Sequence, residues 1–198
     1  MSFRIGLLFV AMALSACVVS STLIFTEADI EDSINLIANS GFAPYSMMGD
    51  KALPGWNIHQ DPSTKDAANI SLDPLISLKG DSSLKISASN RQITIVSEPF
   101  NVRRYGGYYA RIMALTDSPE APQVTLQMVT FREDGKITNR FRQKRKLSGE
   151  WDRMTVSAGF LRPGVSWARI SVIIPPFKEG SIWVDDAGCW EVHGFKID

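Results

Sequence analysis

Three groups of side chains in this chain have the types and the spacing to do chemistry or to hold a ligand. The first is Asp185 and Asp186, adjacent carboxylates inside Gly180 to Val192, a run otherwise rich in apolar and aromatic residues. Carboxylates are rarely buried without a partner or a metal. The pair therefore reads as part of a last strand lying beside the first, with one Asp tying the two together. The second group is Arg140, Arg142, Lys144 and Lys146. Recurring at every second residue, they lie on one face of a strand, with Arg145 opposite. Such a row is either a solvated edge that blocks aggregation or a dock for an anionic glycan, lipid headgroups or an acidic partner. The acidic stretch Glu27 to Asp32 is a further candidate, as its intramolecular complement. The third group is Tyr109, Arg111, Thr125, Gln127, Trp167 and Arg169. If Ala110, Leu126 and Ile170 face a core, these six point away from it. Aromatic rings and planar polar groups of this kind grip sugars. They form one platform if their strands share a sheet; otherwise they are edge cover and solvated arginines. Trp56, Trp151, Trp183 and Trp190 read as packing residues.

Catalysis has less to stand on. There is no Gly-x-Ser-x-Gly elbow, no His-Glu-x-x-His and no phosphate-binding glycine loop. His59 and His193 stand singly, and with Cys17 and Cys189 they cannot supply a zinc site of the usual spacing. A glycosidase-like pair of carboxylates stays open in sequence, since any two acids can meet in space. The acids lie mostly in loops, so the non-catalytic reading is preferred and no cofactor is expected.

The elements that must position these residues are strands. With 198 residues, 44% of them hydrophobic and 21% charged, the chain can build one domain with a real core. Lys+Arg and Asp+Glu both number 21, so no global field draws in nucleic acid. Ile5 to Phe25 carries no charge and is long enough to cross a bilayer as a helix. It reads either as an uncleaved anchor or as a signal peptide in which Leu14-Ser-Ala-Cys17 resembles a lipobox, leaving Cys17 lipidated. Both place the body in the periplasm or at the cell exterior, held at a membrane. The organisation is thus 1–25 signal or anchor, 26–34 acidic spacer, and 35–198 folded domain. After residue 35 the apolar residues alternate: Leu84, Ile86 and Ala88; Ile93 and Ile95; Ala110, Ile112 and Ala114; Val124, Leu126 and Met128; Met154, Val156 and Ala158; Ala168 to Ile174. Turn residues lie between these runs, and Asp134-Gly135 predicts a hairpin joining strands that end near Arg132 and start near Ile137. Short strands regularly broken by turns predict an all-β antiparallel sandwich, a jelly roll, preceded by one N-terminal transmembrane or signal helix.

Asn35-Leu-Ile-Ala-Asn-Ser-Gly-Phe42, Pro54-Gly-Trp56, Gly80 to Ile86, Ser97-Glu-Pro-Phe100, Tyr109, Trp151 and Ile182-Trp-Val-Asp-Asp186 together resemble carbohydrate-binding modules with the galactose-binding-like jelly roll. The resemblance runs over residues 35 to 192 and implies a glycan or cell-envelope polymer as ligand. It also implies a structural calcium, held by the C-terminal Asp186 and by an acidic residue directly after the opening Gly-Phe. That second position is Ala43, so no tightly bound calcium is expected. The two remaining readings are a membrane-anchored binding module and an accessory subunit docked on the outer face of a membrane protein complex. An uncleaved anchor predicts that the membrane-extracted protein has an intact mass beginning at or near Met1. A diacylglycerol-modified species starting at Cys17 would establish the lipobox instead.

Overall fold

The structure, a computed structural model, describes residues 24–44, 53–60 and 68–192. Cys17 and the bulk of the expected signal or anchor helix lie outside the described residues, as do His193 and the Asp61–Ala67 loop. No helix among the described residues is long and apolar enough to cross a membrane. The described chain makes one 3-10 turn (Glu27–Ile30) and strands β1 (Trp56–Gln60), β2 (Ile70–Asp73), β3 (Ser83–Ser89), β4 (Ile93–Ser97), β5 (Phe100–Asn101), β6 (Gly107–Thr116), β7 (Gln123–Arg132), β8 (Ile137–Lys146), β9 (Asp152–Ala158), β10 (Val165–Ile174) and β11 (Phe177–Val192).

Every pairing is antiparallel. One sheet, here sheet I, runs β1-β4-β10-β7-β8 with β5 beside β10; the other, sheet II, runs β2-β3-β11-β6-β9. The alternation seen in sequence is what closes them into a sandwich. Ile93, Ile95, Val124, Leu126, Met128, Ile170, Val172 and Ile174 face inward from sheet I. Leu84, Ile86, Ala110, Ile112, Met154, Ile182 and Val184 meet them from sheet II, all buried. The Asp134-Gly135 hairpin forms as expected between β7 and β8, with Gly135 at φ 79°, a left-handed conformation that suits glycine. Strands β2 and β5 carry no comparable pattern in sequence. Strand β2 is a four-residue edge whose Ile70 and Leu72 are only half buried, and β5 has two residues.

Strand β11 is the spine of sheet II, paired with β3 on one side and β6 on the other. A register shift between Asp185 and Gly188 separates the two carboxylates into different roles. Asp185 is fully buried and accepts three backbone N–H groups, from Leu78 at 2.7 Å, Lys79 at 2.9 Å and Asp186 at 2.7 Å. The expectation that an Asp would tie the last strand to the first is therefore corrected: Asp185 holds the loop before β3. The opening segment is tied by Asn35 instead. Its side chain accepts from Cys189 N and donates to the Ala187 carbonyl, while Leu36 N donates to the Cys189 carbonyl. A short amide can do both jobs because it carries donor and acceptor, whereas a carboxylate only accepts.

Asp186 sits at φ 45° and turns to the outer side of sheet II, where Arg111 Nη2 lies at 2.6 Å and Lys79 Nζ at 3.2 Å. Arg111 also reaches Glu27 Oε2 at 2.8 Å, and its guanidinium lies 5.0 Å above the Trp190 ring. That ring lies across Gly188, where an added Cβ would fall 1.9 Å from the indole, so only glycine fits. Tyr109 donates to Glu27 Oε1 at 3.0 Å; burial, then the bond to that carboxylate, pushes its phenol up to about 12, so it stays a donor. Phe25 and Ile30 complete a cluster with Tyr109, Trp190 and Val192. The segment expected as an acidic spacer is thus packed onto sheet II. Glu27 complements Arg111, and Arg153 at 3.7 Å, rather than the basic strand.

These contacts bear on calcium. Ala43 offers no carboxylate and its N–H is bound by Asn39 Oδ1 at 2.7 Å, while Asp186 already holds a guanidinium and an ammonium. Among the described residues no three of His, Cys, Asp and Glu cluster to hold a metal. The residues at this position do not fit the ion.

Two outcomes are expected. Asp185→Ala should lower the free energy of unfolding by about 2 to 3 kcal/mol, because it strips the acceptor from the Leu78 and Lys79 amides; urea denaturation measures it. Burial also raises the Asp185 carboxyl above the usual carboxylate range. The folded state then binds that proton more tightly than the unfolded one, so this group's contribution to stability declines as pH climbs from the ordinary carboxylate value through the raised one. The variant should lack that component. Separately, adding calcium should leave the melting temperature unchanged. Asp186→Ala should lower it with or without calcium, by about 1 to 3 kcal/mol of stability, as Arg111 loses one of its partners. A calcium-dependent rise that disappears in Asp186→Ala would contradict this.

Candidate functional site

The six residues expected on one platform are divided between the two sheets. Tyr109 and Arg111 lie on β6 of sheet II, turned to the docked N-terminal segment and engaged with Glu27, Asp186 and Trp190. Thr125 and Gln127 on β7, and Trp167 and Arg169 on β10, lie on the outer face of sheet I. The reason is topological: β6 pairs with β9 and β11, while β7 turns across to pair with β8 and β10. Alternation within each strand reports which side chains leave the core, and says nothing of which sheet they leave it from.

The outer face of sheet I gathers the two remaining groups. In antiparallel register, side chains of paired residues share a face. Gln127 stands between Ser171 of β10 and Arg142 of β8; Thr125 stands between Ile173 and Lys144; Val129 stands between Arg169 and Arg140. Gln123 faces Lys146 at the end of the sheet. The rows continue across β4 to β1, through Val96 to Asn57 and through Thr94 to His59. The basic strand and the Gln-Trp-Arg group, read separately in sequence, are one surface. His59 sits exposed at its far edge, with no catalytic partner among these neighbours.

Two features make this surface more than a solvated sheet. Trp167 and Phe131 stack with ring centroids 3.9 Å apart and planes inclined by 9°, and the Arg169 guanidinium lies 5.3 Å from the Trp167 ring. Both rings remain partly exposed, so an aromatic step stands at the surface beside the planar guanidinium of Arg169. Farther along the same face, toward the opposite end of β7 and β10, Gln92, Gln123, Thr125, Gln127, Arg142 and Lys144 line a cleft of about 380 Å³ together with Ile173 and Pro175. Phe131 was not singled out in sequence; its alternation with Val129 on a long strand was the available signal. Trp56, Trp183 and Trp190 pack as expected. Trp56 stacks on Phe42 and donates to the Asn39 carbonyl, and buried Trp183 donates to Asp73. Cys189 is fully buried, and burial raises its thiol, which leaves it a packing residue.

The arrangement has the makings of a recognition surface rather than a reaction centre. The adjacent carboxylates Asp185 and Asp186, the one acidic pair with a chemical look in sequence, are occupied by backbone amides and by Arg111 and Lys79.

No family model matches the chain, and no curated protein matches it in sequence. Solved structures do match in shape. A family 16 carbohydrate-binding module has a TM-score of 0.58 at 13% identity, over 78% of this chain and 99% of that one. TmCBM61, solved in complex with β-1,4-galactotriose, has a TM-score of 0.54 at 11% identity, over 80% and 99%. The enzymatically active domain of tailspike protein 4 of bacteriophage CBA120 has a TM-score of 0.64 at 11% identity, with 80% of this chain covering 22% of that domain. At such identities the likeness is one of fold, and that fold is the antiparallel β-sandwich of carbohydrate-binding modules.

Proposed function

We propose that the protein is a non-catalytic glycan-binding module whose ligand lies on the outer face of sheet I. The observation that carries this reading is the registered row structure of that face. It presents the Trp167–Phe131 step beside Arg169 and on the same face as Gln127 and Arg142, on strands whose opposite faces are locked into the core. A rigid sheet carrying an aromatic step and planar hydrogen-bonding groups meets the needs of a sugar ring, which offers an apolar face and a rim of hydroxyls. The likeness of fold to several carbohydrate-binding modules supports the same reading. Tyr109 and Arg111 have no part in it, because they hold the N-terminal segment. The uncharged stretch Ile5 to Phe25 supports a module held at a membrane, with its body in the periplasm or at the cell exterior.

One observation favours a second reading, an accessory subunit of a membrane complex. Ile24, Tyr105 and Phe160 are exposed at the end of the sandwich where the N-terminal segment enters, at 79%, 62% and 59%. An apolar end beside an anchor is suited to a protein neighbour.

The two separate in one experiment on detergent-extracted full-length protein. The binding module is expected to run as a small species and to be retarded in gels cast with polysaccharide. Trp167→Ala should abolish that retardation and leave the melting temperature within a few degrees. Co-migration with a large assembly, with no retention on any polysaccharide, would overturn the proposal.

A further inference from the structure

Resting on that reading of the face, we infer that the ligand is a polyanionic glycan, one with a carboxylate or sulfate in its repeat, gripped by Arg140, Arg142, Lys144, Lys146 and Arg169. These five cations stand on one surface. Four succeed one another along β8 at a spacing of about 6.8 Å, a rail about 20 Å long, and Arg169 lies two strands in, across Val129 from Arg140. None of the five is within salt-bridge distance of a carboxylate of the described residues. None of the outward positions paired in register across β1, β4, β10, β7 and β8 is Asp or Glu. Glu98 stands at the rim, 3.5 Å from the Asn57 amide.

The rest of the molecule shows how differently this chain treats cations it uses for itself. Arg145, on the same strand but the opposite face, is bound to Asp152 at 2.6 Å, and Arg111 has two carboxylates. An edge defended against aggregation accounts for lysines and arginines on β8. It does not account for Arg169 in the interior of the sheet, whose Nε is buried without a hydrogen-bond partner. Nor does it account for the polar glutamines and the aromatic step on the same surface. Unpaired like charges side by side repel, and a chain of anions laid along them removes that repulsion while forming charge-assisted hydrogen bonds. Neutral hydroxyls do only the second, and more weakly. The aromatic step distinguishes a sugar from a bare polyanion, since it needs an apolar ring face to stack on.

The test uses the full-length protein and four probes at matched low ionic strength. These are polygalacturonate (carboxylated), dextran sulfate (sulfated), neutral dextran, and inorganic polyphosphate as a polyanion without any ring. At least one of the two charged polysaccharides should bind, with affinity falling as salt rises, and neutral dextran should bind at least about tenfold more weakly. The better of the two identifies the anion. Arg142→Gln with Lys144→Gln should weaken that binding by about tenfold or more. Lys85→Gln with Lys178→Gln, an equal loss of charge away from the face, should not. All four substituted positions are at least partly exposed, and unchanged thermal melting confirms folding. Equal binding of neutral and charged polysaccharide, or equal losses in both double variants, would overturn the inference. So would polyphosphate binding as tight as the best polysaccharide. Neutral binding as tight as charged and lost in Trp167→Ala would sink the charge requirement alone, whereas no binding of any polysaccharide would sink the parent reading as well.

Discussion

A buried carboxylate sets the terms for half of this sandwich. Asp185 sits in the middle of the longest strand with no exposure to solvent, and a bare charge there would cost more than the fold can spare. Three backbone amides meet it, and to do so the loop before β3 must come to β11 and the strand must bulge just after it. The bulge in turn fixes the next five residues of β11. It turns Asp186 outward to Arg111, it requires a residue without a side chain at Gly188, and it lays Trp190 flat across that gap. The opening segment then reads the displaced strand through Asn35.

This chain of consequences gives the two sheets different fates. On sheet II the outer surface of β6 and the end of β11 is consumed internally: Arg111, Tyr109 and Trp190 face Glu27, Phe25 and Ile30. Its most buried cation is neutralised and its aromatic rings are covered. Sheet I has no such cover among the described residues. Its inner side is packed into a largely apolar core, which holds the strands still. Its outer side keeps five cations without a carboxylate partner among those residues, and a stacked aromatic pair, in fixed register. Rigidity on one side and unmet interactions on the other are what a pre-organised binding surface requires, because little entropy is lost when a ligand arrives.

The fold's likeness to carbohydrate-binding modules fits this division of labour but does not by itself choose a ligand, since one sandwich can carry many sites. What singles out this chain is the coincidence on one surface of the basic strand and the aromatic step. Either alone has a plain structural explanation. Together, with Arg169 set inward from any edge, they are what the proposal of a ringed and charged ligand rests on.

The sequence by itself determined the strands, because burial on one face and exposure on the other must alternate every two residues in any half-buried strand. The runs at Leu84 to Ala88, Val124 to Met128 and Ala168 to Ile174, and the Asp134-Gly135 turn, could hardly be read otherwise. The one-faced row of Arg140, Arg142, Lys144 and Lys146 was legible for the same reason. Short β2 and β5 were not, since two or four residues carry too little pattern. Only the tertiary structure decided which strands became neighbours, and so which side chains share a surface. That is a matter of contacts between residues tens of positions apart, to which a local period is blind. It is why Arg111 and Arg169, indistinguishable as alternating arginines, ended up on opposite faces of the molecule, one tied to two carboxylates and the other to none of the described residues.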